Sequence, residues 1–510
     1  MVKKGLIGIL AALVIFGAAS SRSHGKMIPP LLEETLQSLG PEEDVSVIIT
    51  FSDRVKLADY RDKDRKTRRS RMIRAFKQKA EFTQGPLRAF LKSSGKAKKV
   101  DNLWLINGVA ATLPAGLVPR LLSLPGVESI RLDGTISAPV LTTAYAGEPE
   151  WNIQAVRAPE LWELGYTGQG VVIASMDTGV DYDHPDLFGK WRGGSNSWYD
   201  PNGEHPTIPY DGNGHGTGVM GLMAGGDAGG TSIGVAPAAQ WIAVKIYNDA
   251  GVATESGIHL GFQWLLDPDG NDATDDAPHI VNNSWGFEDR FGQCVEDGEG
   301  ASFRLDVQAL KAAGIAVVFA AGNSGDFGSN TSVSPANYPE SFSVGAVDET
   351  GLIASYSGRG PSACDGSIYP KVVAPGSRTS FPFGIKTSDI TGYPGEPAFQ
   401  YVTSGTSWAA PHASGVMAVL LSAFPGLAVA ELETALTLSA VDSGDPGPDH
   451  SYGNGIVDGF SAYQVLRDAK KRPMQIHIIL ELLLSRDVAR DRFSFQQRLL
   501  KEEGLFVSVG

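Results

Sequence analysis

Apolar positions fall into two regimes along the chain. Over residues 27–145 they form short, mixed runs. Residues 45–51 alternate like a half-buried strand, 61–99 read as a Lys/Arg-rich helix, and 104–113 are strand-like. Residues 117–124 are helical and stop at Pro125-Gly126, and 127–132 form another strand. Pro, Thr, Gly and small residues at 138–150 read as a linker. From Trp151 the pattern changes. Continuous apolar, β-branched runs at 171–176, 241–246, 280–284, 315–321 and 341–347 alternate with small-residue helices at 215–224, 256–266 and 303–313. Strands apolar on both faces and separated by helices predict an α/β fold with a mostly parallel central sheet covered on both sides, three layers in all. The first unit is a small α+β domain.

The two ends need separate treatment. Lys3 and Lys4 precede an uncharged stretch from Gly5 to Ala19, followed by Ser20 and Ser21. A basic start, a short apolar run and small residues make residues 1–21 a signal peptide and the protein a secreted one, extracellular or periplasmic. The apolar run is shorter than the ~20 residues that span a bilayer. The expected divisions are therefore 1–21, 27–145, 151–470 and an amphipathic C-terminal tail, 471–510, whose role the sequence does not give.

Hydrophobic residues make up 42% of the 510 and charged residues 20%, which excludes a disordered chain. The net charge of -14 argues against nucleic-acid binding. That charge is unevenly spread. Residues 1–150 hold 23 Lys/Arg against 15 Asp/Glu, and residues 151–470 hold 13 against 37. A basic first unit thus precedes a strongly acidic second one. The two cysteines, Cys294 and Cys364, both fall in expected loops, and pairing and free thiols both remain open.

Three segments carry candidate chemistry. An apolar strand ends in Asp177-Thr-Gly, where a parallel sheet gathers its functional groups. His215 opens a helix inside Gly-Asn-Gly-His-Gly-Thr-Gly. Ser407 follows Gly405-Thr406 at the start of a helix containing Pro411. Each has a plain structural reading: a turn-capping Asp, an incidental His, and a Ser that caps a helix. A Ser at a helix N-terminus can equally be a nucleophile beside ready N–H donors. Together they supply Asp, His and Ser in the chain order of one class of serine hydrolase.

These three motifs resemble the signatures of the subtilisin-like serine proteases over roughly residues 151–467. Val281-Asn-Asn-Ser-Trp-Gly286 and the Asp-rich run before it are similar to the bacillopeptidase F-like members. The resemblance implies a serine endopeptidase acting on polypeptides, with Ser407 as nucleophile, His215 as general base and Asp177 orienting the imidazole. It implies that Asn323, in Ala320-Ala321-Gly322-Asn323, donates to the oxyanion. It further implies that Ser284, Trp285 and Gly286 pair with extended substrate and, with Ala320, Ala321 and Gly322, line a fairly apolar P1 pocket. Residues 27–145 resemble the inhibitory propeptide of such enzymes, so the chain is expected to be an autoprocessed zymogen and a monomer. An inactive peptide-binding relative and an esterase with the same triad are the alternatives.

No cofactor is needed for this chemistry, but structural calcium is possible. Asp186 matches a calcium ligand of the family, yet the partner stretch 225–234 is short, so it is not assigned. The run Asp267-Pro-Asp-Gly-Asn-Asp-Ala-Thr-Asp-Asp276 starts like a calcium loop but lacks the Glu at loop position 12. A solvated acidic loop and a cation site both fit it.

Overall fold

The computed structural model describes residues 29–62, 64–137, 150–296, 302–380, 383–391 and 398–471. The expected signal peptide, most of the expected linker and nearly all of the tail lie outside them.

The first unit is a four-stranded antiparallel sheet of β1 (Asp44–Phe51), β2 (Lys99–Leu103), β3 (Gly108–Pro114) and β4 (Val127–Leu132), in the order β2-β3-β1-β4. Helices α1 (Pro30–Ser38), α2 (Arg65–Ser94) and α3 (Val118–Leu122) accompany it. The helix expected over 61–99 starts where the Asp64 carboxylate accepts the Thr67 N–H at 2.7 Å, and it stops at left-handed Gly95. The expected strand over 104–113 divides instead, because residues 104–107 form a turn. Asn107 takes a positive φ of 51° there, and its amide donates to the Asp53 carbonyl at 2.7 Å. Asn tolerates that backbone region better than most residues, and Asn-Gly is a hairpin signal.

β1 alternates as expected, yet both of its faces are covered. Val45, Val47, Ile49 and Phe51 pack with Leu87 and Leu91 of α2. Ile48 faces the other way, with Leu103, Ile106 and Ala110, against Leu260 and Leu305 of the second unit.

That unit opens with α4 (Trp151–Ala155) and α5 (Ala158–Glu163). Its seven-stranded sheet comprises β6 (Val172–Asp177), β7 (Trp198–Tyr199), β8 (Gln240–Lys245), β10 (Ile280–Asn283), β11 (Ala316–Ala320), β12 (Phe342–Val347) and β13 (Val372–Pro375). The order is β13-β12-β11-β10-β6-β8-β7, and every pairing is parallel. Successive residues point to opposite faces. Ile173, Ala243, Val318 and Val344 meet α6 (His215–Ala224) and α9 (Thr406–Ala423) on one face. Ala174, Val244, Val317 and Phe319 meet α7 (Glu255–Leu266) and α8 (Arg304–Ala312) on the other. Burial of both sets is why these strands read as unbroken apolar runs. A hairpin of β14 (Ile385–Ser388) and β15 (Phe399–Val402) borders α6, and α10 (Val429–Ser439) and α11 (Gly459–Lys471) complete the unit. Cys294 and Cys364 form a disulfide, with Cα atoms 4.7 Å apart.

The two units are joined face to face. Short β5 (Thr135–Ser137) pairs antiparallel with β9 (Val252–Thr254). Arg131 pairs with Glu255 of α7, and its guanidinium lies 3.0 Å from Nε2 of His259. The other ring nitrogen of His259 bonds Asp306 of α8 at 2.8 Å. No helix among the described residues is long and apolar enough to cross a membrane.

Candidate active site

The carboxyl end of β6 delivers Asp177, 1% exposed, into the interior. Its Oδ1 accepts the Thr178 N–H at 2.7 Å and bonds Nδ1 of His215 at 2.8 Å. Glycines make this approach possible. A Cβ on Gly179, at φ 119°, would fall 1.9 Å from the Tyr210 carbonyl oxygen, and one on Gly216 would fall 2.2 Å from that of Gly179. The start of α6 is therefore pressed against the end of β6, with His215 as its first residue.

Asp177 cannot donate when ionised, so Nδ1 of His215 carries the proton in this contact, and Nε2 is left as the acceptor. Nε2 is buried and has no hydrogen-bond partner. The ring lies 5.0 Å from that of Trp408, the residue after Ser407.

Ser407 is the second residue of α9, in the turn where helix N–H groups lack intrahelical partners. In this rotamer its hydroxyl donates to the Ser284 carbonyl at 3.1 Å rather than to His215. The Ser284 hydroxyl donates in turn to the Ser407 carbonyl at 2.9 Å and accepts from the Asn282 amide at 2.9 Å. These bonds pin the end of β10 to the start of α9.

Asn323 follows β11 and is exposed. Its Oδ1 accepts the Thr406 N–H at 2.8 Å and the Thr406 hydroxyl at 3.1 Å. A backbone N–H can only donate, so the Asn323 oxygen faces Thr406 and the amide NH₂ faces away. Its backbone N–H donates to Glu288 Oε1 at 2.7 Å, and the Ser324 hydroxyl donates to Glu288 Oε2 at 2.8 Å. Desolvation raises the Glu288 carboxyl above its ordinary range, against those two bonds. Neither Thr406 nor Glu288 was assigned a role from sequence. Thr406 sits inside a quoted motif, but nothing local marks Glu288.

The residues expected to meet substrate are placed unequally. Trp285 is 4% exposed and its ring packs edge-on against Phe303 and Phe319, so the ring is closed to a ligand. Gly286 is half-buried. Ala320, Ala321 and Gly322 are buried, and the Ala321 carbonyl accepts the Tyr369 hydroxyl at 2.6 Å. A Cβ on Gly322, at φ 86°, would lie 2.8 Å from Val333.

Near the stretch 225–234, Asp186 accepts the Ala228 N–H at 2.9 Å. The Lys190 ammonium donates to the Ala224 carbonyl at 2.6 Å and supplies positive charge beside Asp186. Burial lowers the Lys190 pKa to about 8.

Comparison with known proteins agrees with this arrangement. The model of the Subtilase family matches residues 168–455. Bacillopeptidase F of Bacillus subtilis is 32% identical over 90% of this chain, and the match covers 35% of that longer protein. Subtilisin E of the same organism is 32% identical over 73% of this chain and 84% of its own length. Subtilisin DY of Bacillus licheniformis is 32% identical over 62% of this chain and 98% of its own. With more than half of its residues inside the family's domain, and with the parallel sheet of that fold, the chain belongs to the subtilase family of serine endopeptidases.

Proposed function

We propose that this chain is a secreted, monomeric serine endopeptidase that hydrolyses polypeptides through Asp177, His215 and Ser407, and that it is made as a zymogen whose residues 27–145 inhibit it. The observation that carries the proposal is the 2.8 Å Asp177–His215 bond, which leaves a bare, buried Nε2 next to the N-terminus of α9.

In the reaction, the Ser407 hydroxyl leaves the Ser284 carbonyl by rotating about its Cα–Cβ bond, and passes its proton to Nε2 of His215 as Oγ attacks the scissile carbonyl. Loose geometry at this contact is common in substrate-free enzymes. The Ser407 N–H and the Asn323 amide donate to the tetrahedral oxyanion. Collapse expels the amine, which takes the proton from His215, and leaves an acyl-enzyme. Water then attacks the ester with His215 again as base, releasing the acid and restoring Ser407. Asp177 stabilises the imidazolium throughout. Extended substrate pairs with the backbone of Ser284, Trp285 and Gly286, and Ala320, Ala321 and Gly322 wall the P1 pocket.

The zymogen reading is supported by the contact of the first unit with α7 and α8. It is also supported by β5, which runs as an added strand along β9 immediately before the segment expected to be cut. The N-terminal pattern and the disulfide are consistent with export.

The test is covalent labelling. A fluorophosphonate should add to Ser407, located by peptide mapping, and should abolish casein hydrolysis. Casein hydrolysis that survives full labelling, or a label at another serine, would reject the assignment.

A further inference from the structure

The acidic loop after α7 is bound by four cations of the first unit. Arg69 pairs with Asp275 at 2.7 Å and donates to the Thr274 carbonyl at 2.6 Å. Arg65 lies 3.8 Å from Asp275 and donates to the Pro278 carbonyl at 2.6 Å. Arg74 pairs with Asp272. The deepest contact is made by Lys77, whose ammonium pairs with Asp267 Oδ2 and donates to the Gly270 carbonyl at 3.2 Å. All four side chains project from α2.

Lys77 sits at a cluster of hard oxygens. Carboxylate oxygens of Asp267, Asp269 and Asp276 lie within 4.8 Å of one another. Two oxygens on opposite sides of a calcium ion, each at about 2.4 Å, are separated by about that distance. Asp267 is 7% exposed, and its Oδ1 is buried without a hydrogen-bond partner, although carboxylate oxygens in proteins rarely go without one. Desolvation and the neighbouring Asp276 and Asp269 charges oppose ionisation of Asp267, and Lys77 favours it. Asp269 is oriented by the Asn271 N–H at 2.8 Å, and Asp276 by the Asn196 amide at 3.1 Å. Within the second unit, Arg192 is the nearby cation. It donates to the backbone carbonyls of Asp276 and Asn196, and its charge also acts on the Asp276 and Asp269 carboxylates without hydrogen-bonding them.

We propose that Asp267, Asp269, Asp276 and the Gly270 carbonyl form a divalent-cation site of the calcium class, which the Lys77 ammonium plugs in the intact chain. The donors are all oxygen, which suits calcium and not zinc. Removing residues 27–145 withdraws Lys77, Arg74, Arg69 and Arg65 together and leaves three crowded carboxylates to be neutralised. Calcium and the first unit then compete for one site, so each weakens the binding of the other by the same factor. This last step rests on the zymogen reading. The site itself does not.

The test uses the full chain carrying Ser407→Ala, with its intact mass checked, and terbium as the calcium surrogate. Trp104 serves as the light-harvesting donor, because its ring lies 5.5 Å from the Lys77 ammonium. Adding Lys77→Met keeps the apolar stem over Trp104 and removes the charge. It should tighten terbium binding by about tenfold or more, and calcium should displace the ion. Asp269→Asn in that background should abolish the tryptophan-sensitised emission. Lys77→Gln gives a second uncharged variant if Lys77→Met does not fold, as judged by circular dichroism. Equal terbium affinity with and without the Lys77 charge would overturn the plug, and so would emission that survives Asp269→Asn. Absence of emission from every folded variant would overturn the site. None of these outcomes depends on self-cleavage, so a failed zymogen reading would show separately, as a wild-type chain that stays intact.

Discussion

The side-chain oxygen of Asn323 accepts the backbone N–H of Thr406 at 2.8 Å. With the Thr406 hydroxyl, which donates to the same oxygen, this bond joins the loop after β11 to the residue before Ser407 and turns the Asn323 amide outward. An amide fixed before substrate arrives needs no reorganisation as charge develops, which is where an oxyanion donor gains its effect. Asn323→Ala should lower kcat by about 10²–10³ with KM little changed, a range borrowed from loss of such a donor in a subtilisin. Steady-state kinetics on a peptide amide checks this. A raised KM at constant kcat would assign Asn323 to ground-state binding instead.

Glu288 holds Asn323 from the other side, accepting the Asn323 N–H and the Ser324 hydroxyl. Glu288→Ala removes both acceptors and should lower kcat by about tenfold, the effect of roughly 1.4 kcal/mol of lost positioning. Glu288→Gln keeps one carbonyl acceptor and should recover part of the loss. If Glu288→Gln and Glu288→Ala both behave as wild type in kcat, Glu288 does not position Asn323.

Much of the candidate site was legible because its residues sit in settings that few other functions require. Asp177, His215 and Ser407 each lie within two residues of a glycine that the fold requires: an added Cβ would collide with backbone at Gly179 and Gly216, and Gly405 takes a φ of 149°. The parallel sheet was legible because both of its faces are buried. The partners that complete the site are contacts across the fold. Thr406 reaches Asn323 over 83 residues and Glu288 reaches it over 35, and the disulfide spans 70. No local pattern encodes such pairs. The turn at residues 104–107 was missed for a different reason: its apolar residues, Leu105 and Ile106, are buried, so it reads as strand until Asn107-Gly108 is given weight.

Glu150, the last residue of the expected linker, is 6% exposed and accepts the Thr231 hydroxyl at 2.8 Å. Burial raises its pKa from 4.5 to about 7, against that bond and the Lys386 charge. Between those values the folded chain holds a proton that the unfolded chain has lost. The resulting stability is complete below about 4.5 and is lost as pH rises through about 7. In the full chain with Ser407→Ala, Glu150→Gln should leave Tm unchanged near pH 4 and raise it at pH 8. A parallel shift at both pH values would remove Glu150 titration from the explanation.

The Arg131–Glu255 pair lies at the join between the units, with both side chains under a tenth exposed. Arg131→Met would leave Glu255 buried without its nearest cation, a loss that typically costs about 3–5 kcal/mol. Inhibition of the processed enzyme by the first unit, supplied in trans, should weaken by at least about a hundredfold. The wild-type inhibition should also slow at high salt, because a basic unit meets an acidic one. Unchanged inhibition by the Arg131→Met unit would place the binding energy elsewhere, in the Ile48, Leu103, Ile106 and Ala110 patch.

The most direct measurement is the intact mass and N-terminal sequence of the purified protein, with and without Ser407→Ala. If Ser407 is the nucleophile and the first unit its first substrate, the wild-type chain loses its N-terminal unit, with a new terminus between residues 138 and 151. The Ser407→Ala chain then keeps residues 27–145 while retaining the same fold by circular dichroism. A Ser407→Ala chain that is cut at the same bond as wild type, in a preparation free of other proteases, would contradict the account at its centre.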